Sequence, residues 1–188
     1  MLLVHSGNRI DLPDRQVARF PSSQIPVVRA RVVKVLESLQ PGAVVSSAAA
    51  GADLIVLEEA INLGIDAHVV MPLAREEFVP RSVADAGPEW VTRFDSVLRH
   101  VATHAGSSLM QYNDRPSDEW YLTAHVQLLE RAEEVAAGRV IVALTIRPPE
   151  GEVPPSVTDD FVIRAQRMRL LVLSIDPRPS SPATATVS

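Results

Sequence analysis

The chain has 188 residues, a formal net charge of -5 and 46% hydrophobic residues, enough apolar material for one domain of ordinary size. Its mild acidity withholds the basic field that nucleic-acid and anionic-membrane binders use, and the absence of cysteine excludes disulfides and thiolate metal sites. Aromatic residues make up 4%, too few for a platform that stacks single-stranded nucleic acid.

No apolar run reaches membrane-spanning length. Met1 to His5 lacks the basic flank and the length of a signal peptide. A cytoplasmic protein without nucleic-acid or membrane partners is expected.

Leu2 to His5 reads as a buried strand, followed by a turn, Ser6-Gly7-Asn8-Arg9, and a loop from Ile10 to about Ser23. A helix is expected from about Pro26 to Leu39, closed by Pro41-Gly42. Ala43 to Ser47 reads as a second strand, Ala52 to Leu63 as a helix and Ala67 to Met71 as a third strand. Leu73 to Ala86 reads as a looser segment. A helix is expected from about Pro88 to His100, with Trp90, Phe94, Val97 and Leu98 at core spacing. Val101 to Tyr112 is ambiguous, with room for a short strand, and Asn113 to Ser117 is turn-rich. There follow a helix from about Asp118 to Ala137, a strand within Arg139 to Ile146, and a loop to Ser156. A helix from about Thr158 to Met168 and a strand from Leu170 to Ile175 complete the pattern. The tail, Asp176 to Ser188, has the composition of a disordered segment. Strands alternating with helices over short connections predict an α/β, Rossmann-like fold, a mostly parallel sheet with helices on both faces, and no second domain.

The chain centres on Ser46 to Asp53. The turn Ala48 to Ala52 carries no bulk, and the helix after it begins with unpaired N–H groups and a positive dipole. One reading seats a phosphate on the Gly51, Ala52 and Asp53 amides, with Ser46 or Ser47 helping. The other is a tight joint whose small residues serve packing, with Asp53 stabilising its own helix. Ligands in such sheets lie beyond the carboxyl ends of the strands. Ser6, Gly7, Asn8 and Arg9 are therefore candidates, Arg9 as a phosphate clamp or as a tie for its own loop. Arg81 and Ser82, after the third strand, form a ligand flap or a polar loop. Glu58 is a candidate acid or base, or one carboxylate of a solvated helix face. Thr158 is a ligand contact or a helix cap. His100 and His104 share a helical spacing without a third ligand, so no metal and no other cofactor is expected. Trp90, Phe94, Trp120 and Tyr121 read as core or as the interface of a homodimer.

Ser6-Gly7-Asn8-Arg9-Ile10-Asp11, Ala50-Gly51-Ala52-Asp53-Leu54 with Glu58, Gly64-Ile65, Val69-Val70-Met71-Pro72-Leu73, and Phe78 with Ser82-Val83 together resemble one subgroup of the SLOG superfamily. That superfamily includes the "lonely guy" phosphoribohydrolases and the nucleotide-binding fold of the DNA-processing protein. The likeness covers roughly Leu2 to Val83 and extends more faintly to Ser156-Val157-Thr158-Asp159-Asp160. It implies a nucleotide-derived ligand over the strand ends. The hydrolases of the superfamily carry a Pro-Gly-Gly-x-Gly-Thr-x-x-Glu signature. Here Ile55 stands where its acid falls, Glu58 comes a turn later, and Asn8 replaces a frequent histidine. The resemblance thus implies a sensor or carrier of a nucleotide-derived small molecule. Its alternatives are a phosphoribohydrolase or N-glycosidase using Glu58, and a structural or assembly domain with an empty pocket.

Overall fold

A computed structural model describes residues 1–112 and 120–179. Its strands are β1 (Leu2–Gly7), β2 (Ala43–Ser46), β3 (Asp66–Met71), β4 (Ser108–Gln111), β5 (Ile141–Ile146) and β6 (Leu171–Ile175). Its helices are α1 (Ile25–Leu39), α2 (Ala52–Asn62), α3 (Arg75–Ser82), α4 (Pro88–Thr103), α5 (Trp120–Ala136) and α6 (Val157–Arg167). All strand pairs are parallel, in the order β4-β3-β2-β1-β5-β6. The expected α/β architecture is present.

The central strands are buried on both faces, which is why they read as unbroken apolar runs. Alternate residues divide the core. Leu3, Val44 and Val69 face α1, α2 and α4, whereas Leu2, Val4, Val45 and Val70 face α5 and α6. Val28, Val32 and Leu36 recur at helical spacing and bury one stripe of α1. Each such side chain withdrawn from water contributes about 1.5–3 kcal/mol. The winding reverses beside β1. The chain builds outward through β2, β3 and β4, then α5 crosses the other face to β5. The ends of β1 and β5 therefore form the crevice where such sheets hold ligands.

Several expectations need correction. β1 continues to Gly7, so Ser6 and Gly7 end a strand rather than begin a turn. Leu73 to Ala86 holds α3 and a 3-10 turn, Ala84–Ala86. Pro80 inside α3 and the charged run Arg75-Glu76-Glu77 obscure the burial of Phe78 and Ser82 on its inner side. The ambiguous stretch is the end of α4 plus β4, an edge strand. Trp90 and Phe94 lie in the chain's own core, 3% and 0% exposed, and so cannot join subunits. Asp118, the turn Asn113 to Ser117 and the tail from Ser180 lie outside the described residues. The first tail residues are tied down, with Arg31 donating to the Asp176 carbonyl and Arg178 to the Asp176 carboxylate. Among the described residues no helix is long and apolar enough to cross a membrane.

Candidate functional site

A cleft of about 200 Å³ opens above the ends of β1, β2 and β3. β1 supplies Ser6 and Gly7, with Arg9 just beyond it. Ser47 and Asp53 enter from the β2–α2 joint, Arg81 and Ser82 from α3, and Thr158 from the first turn of α6. Strands that end together bring these scattered residues to one place. Asn8, Ser46, Gly51, Ala52 and Glu58 do not line it. A wider groove, about 750 Å³, lies between the 147–156 loop and α6. Its lining comes from that one loop and from α6 alone, whereas the strand-end cleft gathers polar groups from β1, the β2–α2 joint, α3, α5 and α6 and is the better candidate.

The phosphate seat expected at Gly51 is filled by the chain itself. Gly51 precedes α2 with φ 120° and ψ −126°, backbone that glycine adopts and other residues avoid. It pairs with Arg9 in an antiparallel bridge. Ile10 N–H donates to the Ala50 carbonyl at 3.0 Å, and Ala52 N–H donates to the Asn8 carbonyl at 3.1 Å. Ala50 N–H donates to the Ser82 carbonyl at 2.8 Å. The helix start is thus closed by segments 8–10 and 82. Asn8 is buried as well, its Nδ2 donating to Thr158 Oγ1 at 3.3 Å.

Asp53 turns back beneath the cleft and accepts from Ala49 N–H at 3.3 Å. Burial pushes its carboxyl up to about 7, against the Ala49 and Gly7 amides and Arg9, which pull it down. Its Oδ1 lies 3.5 Å from Nδ1 of His5, which also meets Ser46 Oγ at 3.1 Å. His5 is wholly buried, and desolvation lowers it to about 3, so a neutral imidazole faces the acid. Gly7 permits this crowding, since a Cβ there would stand 2.4 Å from the Ala52 Cβ.

The arginines are engaged. Arg9 pairs with Asp85 and donates to the Arg81 carbonyl at 3.1 Å, while Arg81 pairs with Glu77 at 3.0 Å. Glu58 lies on another surface. Arg93 grips it with two bonds, 2.6 and 2.8 Å, and Arg29 bridges Glu58 and Glu59. Arg93 also lies 3.9 Å over the Trp90 ring. Glu58 therefore ties α2 to α1 and α4 and cannot serve the cleft. Glu58→Ala is expected to cost about 2 kcal/mol in urea unfolding, since it takes both hydrogen bonds from the Arg93 guanidinium and leaves Arg29 with Glu59 alone. Ligand-induced stabilisation at the cleft is expected to stay unchanged in that variant.

Sequence reasoning missed the opposite wall. Trp120, Tyr121, His125 and Leu128 of α5 line the cleft. Trp120 and Tyr121, expected in a core or interface, meet edge to face with ring centroids 6.4 Å apart. Ser6 Oγ lies 3.4 Å from His125 Nε2, and His125 Nδ1 lies 3.0 Å from Asp160 Oδ2. Burial lowers His125, an effect that Asp160 only partly offsets. Burial raises Asp160, but hydrogen bonds from Arg164 and His125 outweigh it and hold the carboxyl below its ordinary value. The spacing of α5 puts Trp120, Tyr121, Ala124, His125 and Leu128 on one stripe, a signal readable as helical periodicity but not as a ligand wall.

Comparison with family models, with curated proteins and with solved structures finds no match to this chain. Elsewhere, His100 and His104 stack with centroids 5.0 Å apart, and His104 pairs with Asp66. Among the described residues no group of three metal-ligating side chains gathers.

Proposed function

We propose that the cleft binds a nucleotide-derived small molecule, as a sensor or carrier. One observation carries this reading: at the point where the winding reverses, an indole and a phenol face the hydroxyls of Ser6, Ser47, Ser82 and Thr158, with Arg9 and Arg81 at the same cleft. A base has a planar face for Trp120 or Tyr121, a ribose has hydroxyls for the serines, and a phosphate has charge for the arginines. The resemblance to the SLOG superfamily points the same way. The Ala52 amide is not free for the anion, since it donates to the Asn8 carbonyl. The anion enters in exchange with the Asp85 and Glu77 carboxylates that now hold the two arginines. Ordinary ligand pockets run to ~300–1,000 Å³. At about 200 Å³ the cleft takes in the base and sugar and leaves any phosphate chain at its rim. The phosphoribohydrolase alternative is left without its acid, because Glu58 is held by Arg29 and Arg93.

The test is thermal melting with adenosine and guanosine mono- and diphosphates, ribose 5-phosphate and inorganic phosphate. A nucleotide at a hundred times its Kd stabilises by about 2.7 kcal/mol, several degrees for a chain of this size. Quenching of tryptophan fluorescence should accompany the shift and vanish in Trp120→Leu, because Trp90 is buried in the core. No shift with any nucleotide, in a protein that melts cooperatively, rejects the reading in favour of an assembly domain.

A further inference from the structure

We propose that Ser6, His125 and Asp160 form a nucleophile relay that cleaves a carboxylic ester in this cleft. The inference rests on the cleft admitting a ligand, not on that ligand being nucleotide-derived.

The three residues come from three elements. Ser6 sits at the end of β1, His125 on α5 and Asp160 in the first turn of α6. Asp160 accepts from His125 Nδ1 at 3.0 Å, which fixes the proton there and leaves the Nε2 lone pair for Ser6 Oγ at 3.4 Å. That is the tautomer a general base requires. A gap of this length is ordinary for a ligand-free site and closes when substrate binds. His125 is 7% exposed and packs against Phe161 at 5.8 Å between centroids, so the ring has little freedom to turn. Arg164 holds Asp160 at 2.6 Å and keeps it ionised. Ser6 and His125 both line the cleft, so an ester carbonyl can reach the hydroxyl.

In the first half of the reaction Ser6 Oγ bonds to the ester carbonyl carbon as its proton passes to His125 Nε2. Val157 and Thr158 begin α6 and line the cleft. First-turn amides lack intrahelical acceptors and suit the developing oxyanion. The carbon–alkoxy bond then breaks, and the alcohol leaves with the proton from His125. In the second half a water gives its proton to His125 and attacks the acyl carbon. The Ser6–acyl bond breaks, and the proton returns to Ser6. The sum is ester plus water giving acid plus alcohol. Val70, Phe78 and Leu128 form apolar walls, and about 200 Å³ limits the acyl group to a short one.

A fluorophosphonate probe tests the relay without knowledge of the natural substrate. Intact mass and peptide mapping should find one adduct, on Ser6. His125→Gln should slow labelling at least ~100-fold, and Asp160→Asn should slow it by a smaller factor. The labelling rate should rise with pH as His125 loses its proton, with a midpoint below 6.5, Asp160 and Arg164 being the charged groups that face it. Hydrolysis of p-nitrophenyl acetate should follow the same pattern. No adduct on Ser6 of the folded wild-type protein overturns the proposal, and this holds even if a variant fails to fold. Undiminished labelling of a folded His125→Gln protein overturns it too. Nucleotide binding without Ser6 labelling refutes the relay alone, and labelling without nucleotide binding refutes the nucleotide reading alone.

Discussion

Gly51→Ala is expected to destabilise the protein by about 3 kcal/mol or more, which lowers the melting temperature by roughly 6–12 °C. Two independent costs add. At φ 120° and ψ −126° an alanine occupies backbone that side-chain-bearing residues rarely adopt. Its Cβ would also stand 2.4 Å from Ile10 N and 2.8 Å from the Arg9 carbonyl carbon. Both obstacles are backbone, so no rotamer relieves them. To make room, segment 8–10 must leave the start of α2, and the bonds Ile10 to Ala50 and Ala52 to Asn8 break with it. That movement displaces Arg9 and Ser6, so the variant should lose ligand stabilisation along with fold stability. A loss below about 1 kcal/mol in urea unfolding contradicts the packed joint, since glycine-to-alanine replacement at an unstrained site stabilises by up to about 1 kcal/mol.

The same joint shows what the residues do and do not disclose. A strand, a turn without bulk and a helix were legible at Ala43 to Asn62, because apolar period and small side chains report local geometry. Whether a phosphate or another stretch of backbone fills the space beside Gly51 was not legible, because either occupant demands the same absent side chain. The alternating elements disclosed a mostly parallel sheet, and hence the strand ends where Ser6, Arg9, Ser47, Asp53, Arg81, Ser82 and Thr158 meet, but not the strand order. Glu58 was misread because a helix carries carboxylates at every angle, and its partners Arg29 and Arg93 lie 29 and 35 positions away. Ser6 and His125 are 119 positions apart, and no local spacing links a strand end to a helix that crosses the opposite face. Tertiary crossings, not periodicity, make those pairs.

Asp53→Asn is expected to raise stability at pH 8 by about 2 kcal/mol and to expose a pH dependence that the wild-type protein conceals. The unfolded aspartate and histidine titrate near 3.8 and 6.5, while in the folded chain Asp53 moves up to about 7 and His5 down to about 3. Between 3.8 and 6.5 the unfolded pair holds the histidine proton and the folded pair holds the aspartate proton. The counts are equal, so the pair adds no slope there. Above 6.5 the folded state retains a proton that the unfolded state has lost, so stability falls as pH rises, to a plateau beyond about 7. Below 3.8 the unfolded state holds both protons and the folded state one, so stability falls as pH drops toward 3.

With asparagine at position 53 only the His5 contribution remains. Stability then climbs by about 1.4 kcal/mol per pH unit through the window from 3 to 6.5 and is level above it. At pH 8 the wild-type protein buries an ionised carboxylate, a penalty of order 4 kcal/mol from a rise of roughly three pH units. Asparagine removes the charge and keeps an oxygen for the Ala49 and Gly7 amides, but its NH₂ must find an acceptor beside His5 and Ser46, which returns part of the gain. Urea unfolding of both proteins at pH 5 and pH 8 separates the cases. A variant less stable than wild type at pH 8 would mean that the ionised carboxylate is itself an anchor, held by its amides and Arg9 more strongly than burial opposes it.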